Sequence, residues 1–286
     1  MQSVPFNANP FLVVNMRHFT KRSRPRYLFR VHAPYSAGES SANSVRSPAA
    51  LYNHPEQADD LFVLDPSSAA ESLKNHLYWR CDDRCNLMSW TTSLLFALQY
   101  GLHRHRTDDD HPAFEDIFLL MIDTRAFPER TFIKDLEVVS ALDTHDGYWD
   151  DYLTLRGTGY FGEYLSQGAL DINGKCVQVS FQTLIDLGLF ELLPPLAVEA
   201  EWEKWARRVI ELRRPFYRRE VWIPTPDEVR TTVQLARHGF GGRWTFPIAA
   251  MLLALRPRAN NDQVIIEGLE VEFSRRLTLE SVKMLC

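Results

Sequence analysis

Hydrophobic and polar positions alternate most cleanly in PRYLFRVHAP (25–34). Tyr27, Phe29 and Val31 fall on one side of an extended chain and Leu28, Arg30 and His32 on the other, so the run predicts a strand bounded by prolines. DIFLLMID (116–123) is apolar without a break, which predicts a central strand buried on both faces. The period changes inside LMSWTTSLLFALQYGLHRH (87–105). A short strand carrying Ser89 and Thr91 gives way to a helix capped by Thr92 or Ser93, with Leu94, Leu95, Leu98 and Leu102 on one stripe. SSAAESLKNHL (67–77) predicts a helix capped by Ser67 or Ser68, with Glu71 at capping-box spacing from Ser68. TFI (131–133) reads as a short strand, and Asp135 as the cap of a helix over 136–143. WDDYLTLRGTGYFG (149–162) reads as a glycine-rich bend leading to a strand at Glu163. SFQTLIDLG (180–188) reads as a serine-capped, glycine-terminated helix.

Beyond Pro194-Pro195 the periodicity is helical. EAEWEKWARRVIELRR (199–214) sets Trp202, Trp205, Val209 and Leu212 along one face. TPDEVRTTVQLARHG (225–239) starts at a Thr-Pro cap and stops at glycine, FPIAAMLLAL (246–255) reads as a buried helix, and 262–282 as one or two more. SAGESSANSVRSP (36–48) is small and polar, a loop or disordered insertion. The fold class that follows is α+β: a mixed sheet core with flanking helices over 24–195, a helical region over 196–286, and a lead-in over 1–23.

Composition changes this picture little. Of 286 residues, 45% are hydrophobic and 24% charged, ordinary proportions for a globular core. A net charge of −5 argues against bulk nucleic-acid binding, which needs local positive charge. Cys81, Cys85, Cys176 and Cys286 are too sparse for a disulfide framework and fit a reducing compartment. PFLVV (10–14) is too short for a secretory segment, and no apolar stretch reaches the length of a membrane span. The expected location is intracellular, cytoplasmic or nuclear. KRSRPR (21–26) reads as a solvated lead-in, with a nuclear-import signal as the alternative.

Four features bear on chemistry. HRHRTDDDH (103–111) offers His103, His105, Asp108, Asp110 and His111 as metal ligands, but in a hydrophilic loop without the rigid pairing that zinc needs. Cys81 and Cys85 stand four apart with His76 upstream, and no second pair follows at ribbon spacing, so they read as free thiols. Arginines and aromatics mix in 201–220, as in nucleic-acid binders, but Glu201, Glu203, Glu211 and Glu220 interleave with them as on a salt-bridged face. The fourth feature is a constellation: Arg30 on the first strand, Ser89 and Thr91 on another, Glu163 on a third. A lone glutamate in the apolar FGEYLSQGAL (161–170) is costly if it faces the core. On the residues alone, Arg30 also reads as an edge-strand cation, Ser89 and Thr91 as ordinary strand residues, and Glu163 as a solvent-facing carboxylate.

YLFRVH (27–32), MSWTTSLLFA (88–97) and GEYLSQGAL (162–170), in that order, resemble the arginine–serine–glutamate version of the ADP-ribosyltransferase superfamily. More closely, the layout resembles an uncharacterised fungal family carrying a domain of unknown function. The resemblance covers about 24–195 and implies an ADP-ribosyltransferase-like core with NAD as substrate and no metal. In that reading Glu163 is the catalytic carboxylate, stabilising an oxocarbenium-like ribose as in glycoside cleavage. Arg30 holds the diphosphate with a planar fork, and His32 points the same way. Ser89 and Thr91 brace Arg30 and Glu163 or position the nicotinamide ribose. Many relatives carry a glutamate or glutamine two residues before the catalytic one; here Phe161 stands there, and Trp90 interrupts the hydroxyl pattern. The implied activity is ADP-ribosyl transfer, away from arginine acceptors, or NAD glycohydrolysis. The alternative is an inactive module of the same fold that binds a protein partner through its C-terminal helices. Nucleic acid is a lesser candidate partner, and no membrane is implied.

Overall fold

A computed structural model describes residues 3–7, 24–55, 59–143 and 148–283. Most of the 1–23 lead-in, PFLVV and the start of KRSRPR lie outside the described residues.

The fold is mixed α+β, built on a curled antiparallel half-barrel sheet. Among the described residues its strands are β1 (Ser3–Val4), β2 (Tyr27–His32), β3 (Glu39–Ser40), β4 (Ser44–Arg46), β5 (Leu87–Thr91), β6 (Phe118–Asp123), β7 (Ile133–Lys134), β8 (Glu163–Asp171) and β9 (Cys176–Ser180). The main path runs β3-β4-β8-β5-β2-β6-β9, with β1 and β7 also on β8. The β1–β8, β2–β5, β2–β6, β3–β4, β4–β8, β5–β8 and β7–β8 pairs are all antiparallel, where a mixed sheet was expected. Leu119, Leu120, Met121 and Ile122 are fully buried, so β6 is covered on both faces as its unbroken apolar run requires.

Pleating gives the sheet two unlike faces. One carries Leu28, Met88, Trp90, Leu120, Ile122 and Tyr164, packed in a single core cluster. The other carries Leu87 and Leu165, packed with Leu73, Leu77, Val138 and Trp149. These last residues come from the helices Pro66–Leu77 and Asp135–Leu142 and from the start of Asp150–Thr158.

Several local expectations need correction. The stretch 36–48 contains the β3–β4 hairpin, and β4 pairs with β8. Strands of two or three residues leave no readable period, and tertiary pairing decides them. The 66–77 helix is capped by Asp65, which accepts from Ser68 N, with Pro66 at its first position, rather than by Ser67 or Ser68. Asp135 is the first residue of its helix, and the cap position falls to Lys134, which makes no side-chain capping bond. Residues 150–158, expected as part of a bend, are helical. His103 and His105 ride on the helix Leu94–Thr107 rather than in a loop. Other expectations match: Ser93 accepts from Phe96 N, Ser180 from Thr183 N and Thr225 from Glu228 N, each a helix cap.

The chain forms two compact units. One comprises Met1–Ala97 and Phe118–Gln178, and the other Leu98–Ile117 and Val179–Cys286. The expected boundary at 195 falls inside the second unit, which contains the helices Trp205–Tyr217, Pro226–Gly239, Thr245–Leu253 and Gln263–Lys283. Among the described residues no helix is long and apolar enough to cross a membrane.

Candidate functional site

β5 and β8 lie side by side with Ser89 opposite Leu165 and Thr91 opposite Glu163. Residues opposite each other in an antiparallel pair share a face, so Ser89, Thr91 and Glu163 project to the same side. Ser89 Oγ donates to Glu163 Oε1 at 2.8 Å. Thr91 is on that face but turned away from the carboxylate: its hydroxyl donates to the Phe161 carbonyl at 2.5 Å and accepts from Ser93 N. It ties the entry of β8 to the start of the helix after β5. Gly162, just before Glu163, has φ +67, and a Cβ there would collide with the Thr92 hydroxyl. The turn that delivers Glu163 therefore requires glycine.

Arg30 is not brought to Glu163. Phe29 is the residue opposite Thr91, which puts Arg30 on the other sheet face, with Leu28 and Trp90. Its guanidinium lies over the Trp90 ring at 6.0 Å. It donates to Ser40 Oγ (3.0 Å), to the Ser89 carbonyl (2.9 Å) and to the Ala37 carbonyl (3.4 Å). The link between Arg30 and the β5 hydroxyl motif is thus through the backbone of Ser89. His32 shares the Arg30 face, stacks on Phe118 and lies 3.3 Å from Gln178 Oε1 through Nε2. Phe161 is buried and stacks on Phe96 at 4.8 Å between ring centres.

A second carboxylate and a cation complete the Glu163 surroundings, and sequence reasoning missed both roles. Arg156, on the helix Asp150–Thr158, pairs with Glu163 Oε2 through Nη2. Its Nε lies 3.6 Å from Asp135 Oδ2, an ion-pair rather than a hydrogen-bond distance. Asp135 is fully buried and accepts from the hydroxyls of Tyr152 (2.7 Å) and Tyr160 (3.0 Å). Burial first, then the neighbouring Glu163 charge, pushes the Asp135 carboxyl up to about 6 against the pull of Arg156. Burial and the same two carboxylates raise the Tyr152 hydroxyl, and burial and Asp135 raise that of Tyr160. Burial works against the Arg156 charge, but Glu163, Tyr152 and Asp135 outweigh it and hold its pKa above the ordinary value. The i,i+4 spacing of Tyr152 and Arg156 was the available signal, obscured by Gly157 and Gly159.

On the other side of Ser89 stands His76, at the end of the helix Pro66–Leu77. Its Nε2 lies 2.8 Å from Ser89 Oγ, and its Nδ1 lies 3.3 Å from both Cys81 Sγ and Cys85 Sγ. The contact between the two sulfurs pulls Cys85 down to about 4 against burial, and the same contact together with burial raises Cys81. A cavity of about 290 Å³ opens beside them, its wall including Ser68, Glu71, Asn75, Cys81, Cys85 and Gln167. Residues 23–178 match the family described as a domain of unknown function, DUF7587.

The chain belongs to that family.

The DUF7587 match ends at the last residue of the first compact unit and includes Arg30, His76, Ser89, Arg156 and Glu163. No curated protein and no solved structure matches the chain. In the second unit two of the histidines of 103–111 face backbone carbonyls: His103 Nδ1 lies 3.2 Å from the Trp202 carbonyl, and His105 Nδ1 lies 2.9 Å from that of Pro112. Arg104 pairs with Asp108 one turn on. The 201–220 stretch makes the ion pairs its interleaved charges foretell, Arg207 and Arg208 with Glu211 and Arg208 with Glu201.

Proposed function

We propose that the DUF7587 domain cleaves the nicotinamide–ribose bond of NAD, transferring ADP-ribose to a protein acceptor or to water, with Glu163 as the catalytic carboxylate. The observation that carries this reading is the 2.8 Å hydrogen bond from Ser89 to Glu163, which joins two of the three motifs behind the resemblance to ADP-ribosyltransferases. A carboxylate oriented by a hydroxyl and fixed on a central strand is pre-organised to stabilise positive charge developing on the ribose. Arg30 supports the motif through the Ser89 carbonyl. Turnover in this reading includes displacement of Arg156 from Glu163, since the cation occupies the carboxylate oxygen that Ser89 leaves open.

The Arg156–Glu163 pair also favours a second reading, in which the domain keeps the fold without catalysis. The protein then works through contacts made by the C-terminal unit, where Tyr217, Trp222 and Ile223 are exposed. NAD labelled in its adenosine half, incubated with the protein with and without cell extract, separates the readings. Label on extract proteins establishes transfer, and free ADP-ribose with nicotinamide establishes hydrolysis. Intact NAD under both conditions favours the contact module.

A further inference from the structure

The sequence between His76 and Cys85 closes on itself. The helix ends at Leu77, and Trp79, an exposed aromatic, takes φ +57 in the left-handed region. The reversal is held by Trp79 N donating to His76 O and Arg80 N to Asn75 O. A bulky side chain with this backbone is a strained position that its surroundings must hold in place. The result of the turn is that one histidine nitrogen and two sulfurs lie within 4.8 Å of one another.

The hydrogen bonds fix which histidine nitrogen faces Ser89 with a proton. Ser89 has a single hydroxyl proton, and it goes to the Glu163 carboxylate. Ser89 Oγ is therefore the acceptor toward His76, so Nε2 carries the histidine proton. In neutral imidazole the lone pair is then on Nδ1, which faces Cys81 and Cys85 at 3.3 Å each. Ligands of Zn2+ in a tetrahedron, with Zn–S about 2.3 Å and Zn–N about 2.0–2.1 Å, place sulfur and nitrogen about 3.6 Å apart. The observed spacing is close to that edge. The chain from Nε2–H to hydroxyl to carboxylate is the outer support that metal-binding histidines need to fix their tautomer.

We propose that His76, Cys81 and Cys85 form a Zn2+-binding site, with His76 ligating through Nδ1 and the Ser89–Glu163 pair orienting its ring. Two thiolates and an imidazole suit Zn2+ over the oxygen-seeking Mg2+ and Ca2+. The fourth position goes to water from the adjacent cavity, whose wall includes both cysteines. Zinc is held by two thiolates, so binding releases the proton that remains on the thiol pair to solvent. The site stands apart from the NAD reading: metal uptake is measured without NAD, and neither result depends on the other.

The test is anaerobic titration of the reduced full-length chain with Co2+, which reports thiolate ligation by near-ultraviolet charge transfer and tetrahedral geometry by intense visible bands. One Co2+ per chain is expected, displaced by one equivalent of Zn2+ with loss of both spectra. Cys176→Ser keeps the bands, whereas Cys81→Ser and Cys85→Ser each weaken the charge transfer or abolish binding. Ser89→Ala keeps the ligands and lowers affinity about 10- to 100-fold. Absence of charge transfer in the wild type at excess Co2+ overturns the proposal, as do bands unchanged in Cys85→Ser. Because the wild-type titration needs no substitution, a variant that fails to fold does not blunt it.

Discussion

Glu163 stood out in the sequence because a carboxylate in an apolar run must be either paired or exposed. It is paired, by Ser89 on one oxygen and Arg156 on the other. Its partners were less legible. Asp135, just ahead of an apolar run, reads as a cap from sequence; only the fold shows it inside the helix and buried under two tyrosine hydroxyls. Arg156→Ala leaves Glu163 and the buried Asp135 without their shared cation. We predict a loss of about 3–5 kcal/mol in denaturant unfolding, the scale for stripping one partner from a buried pair. Asp135 also gives stability a pH signature. Its folded pKa of about 6 lies above the ordinary 3.8, so the stabilisation from protonated Asp135 is complete below about 3.8 and lost as pH rises through about 6. The stability difference between Asp135→Asn and wild type should therefore shift in favour of the variant between pH 4 and 6. A difference that is flat across that window would show that Asp135 does not titrate there.

At the scale of elements, long periodic segments were readable and short ones were not. The helix after β5 and the helix Pro226–Gly239 announced themselves by apolar stripes and by the caps Ser93 and Thr225. β1, β3 and β7 have two residues each and gain their strand character from pairing, β1 and β7 with β8 and β3 with β4. The helix Asp150–Thr158 was hidden by its glycines, so the element that delivers Arg156 was read as a bend. The turn at Gly162 is the tightest demand on backbone near the site. Gly162→Ala combines a positive φ with a clash against Thr92, and we predict destabilisation on the order of 1–3 kcal/mol. Thermal unfolding of this variant measures it; an unchanged midpoint would mean that the turn can rearrange.

For the molecule as a whole, the order of the motifs along the chain was informative and their register was not. β8, β5 and β2 are consecutive in the sheet, so the strands bearing Glu163, Ser89 and Arg30 are neighbours. Which side each residue faces depends on pairing parity, and Phe29 opposite Thr91 sends Arg30 to the face away from Glu163. A shift of one residue reverses that outcome, and no pattern in a single sequence fixes it. The fold therefore unites serine and glutamate, connects the arginine through backbone, and adds His76 and Arg156 on either side.

The most direct test of the NAD account is the rate of nicotinamide release by wild type and Glu163→Gln, with folding of both checked by thermal unfolding. Glutamine keeps the shape and an acceptor for Ser89 but removes the charge that would stabilise an oxocarbenium-like ribose. The account predicts release by the wild type and at least about a 100-fold slower rate in the folded variant, the scale set by removing one transition-state electrostatic contact. Equal rates in the two proteins, or no release by either, would contradict it.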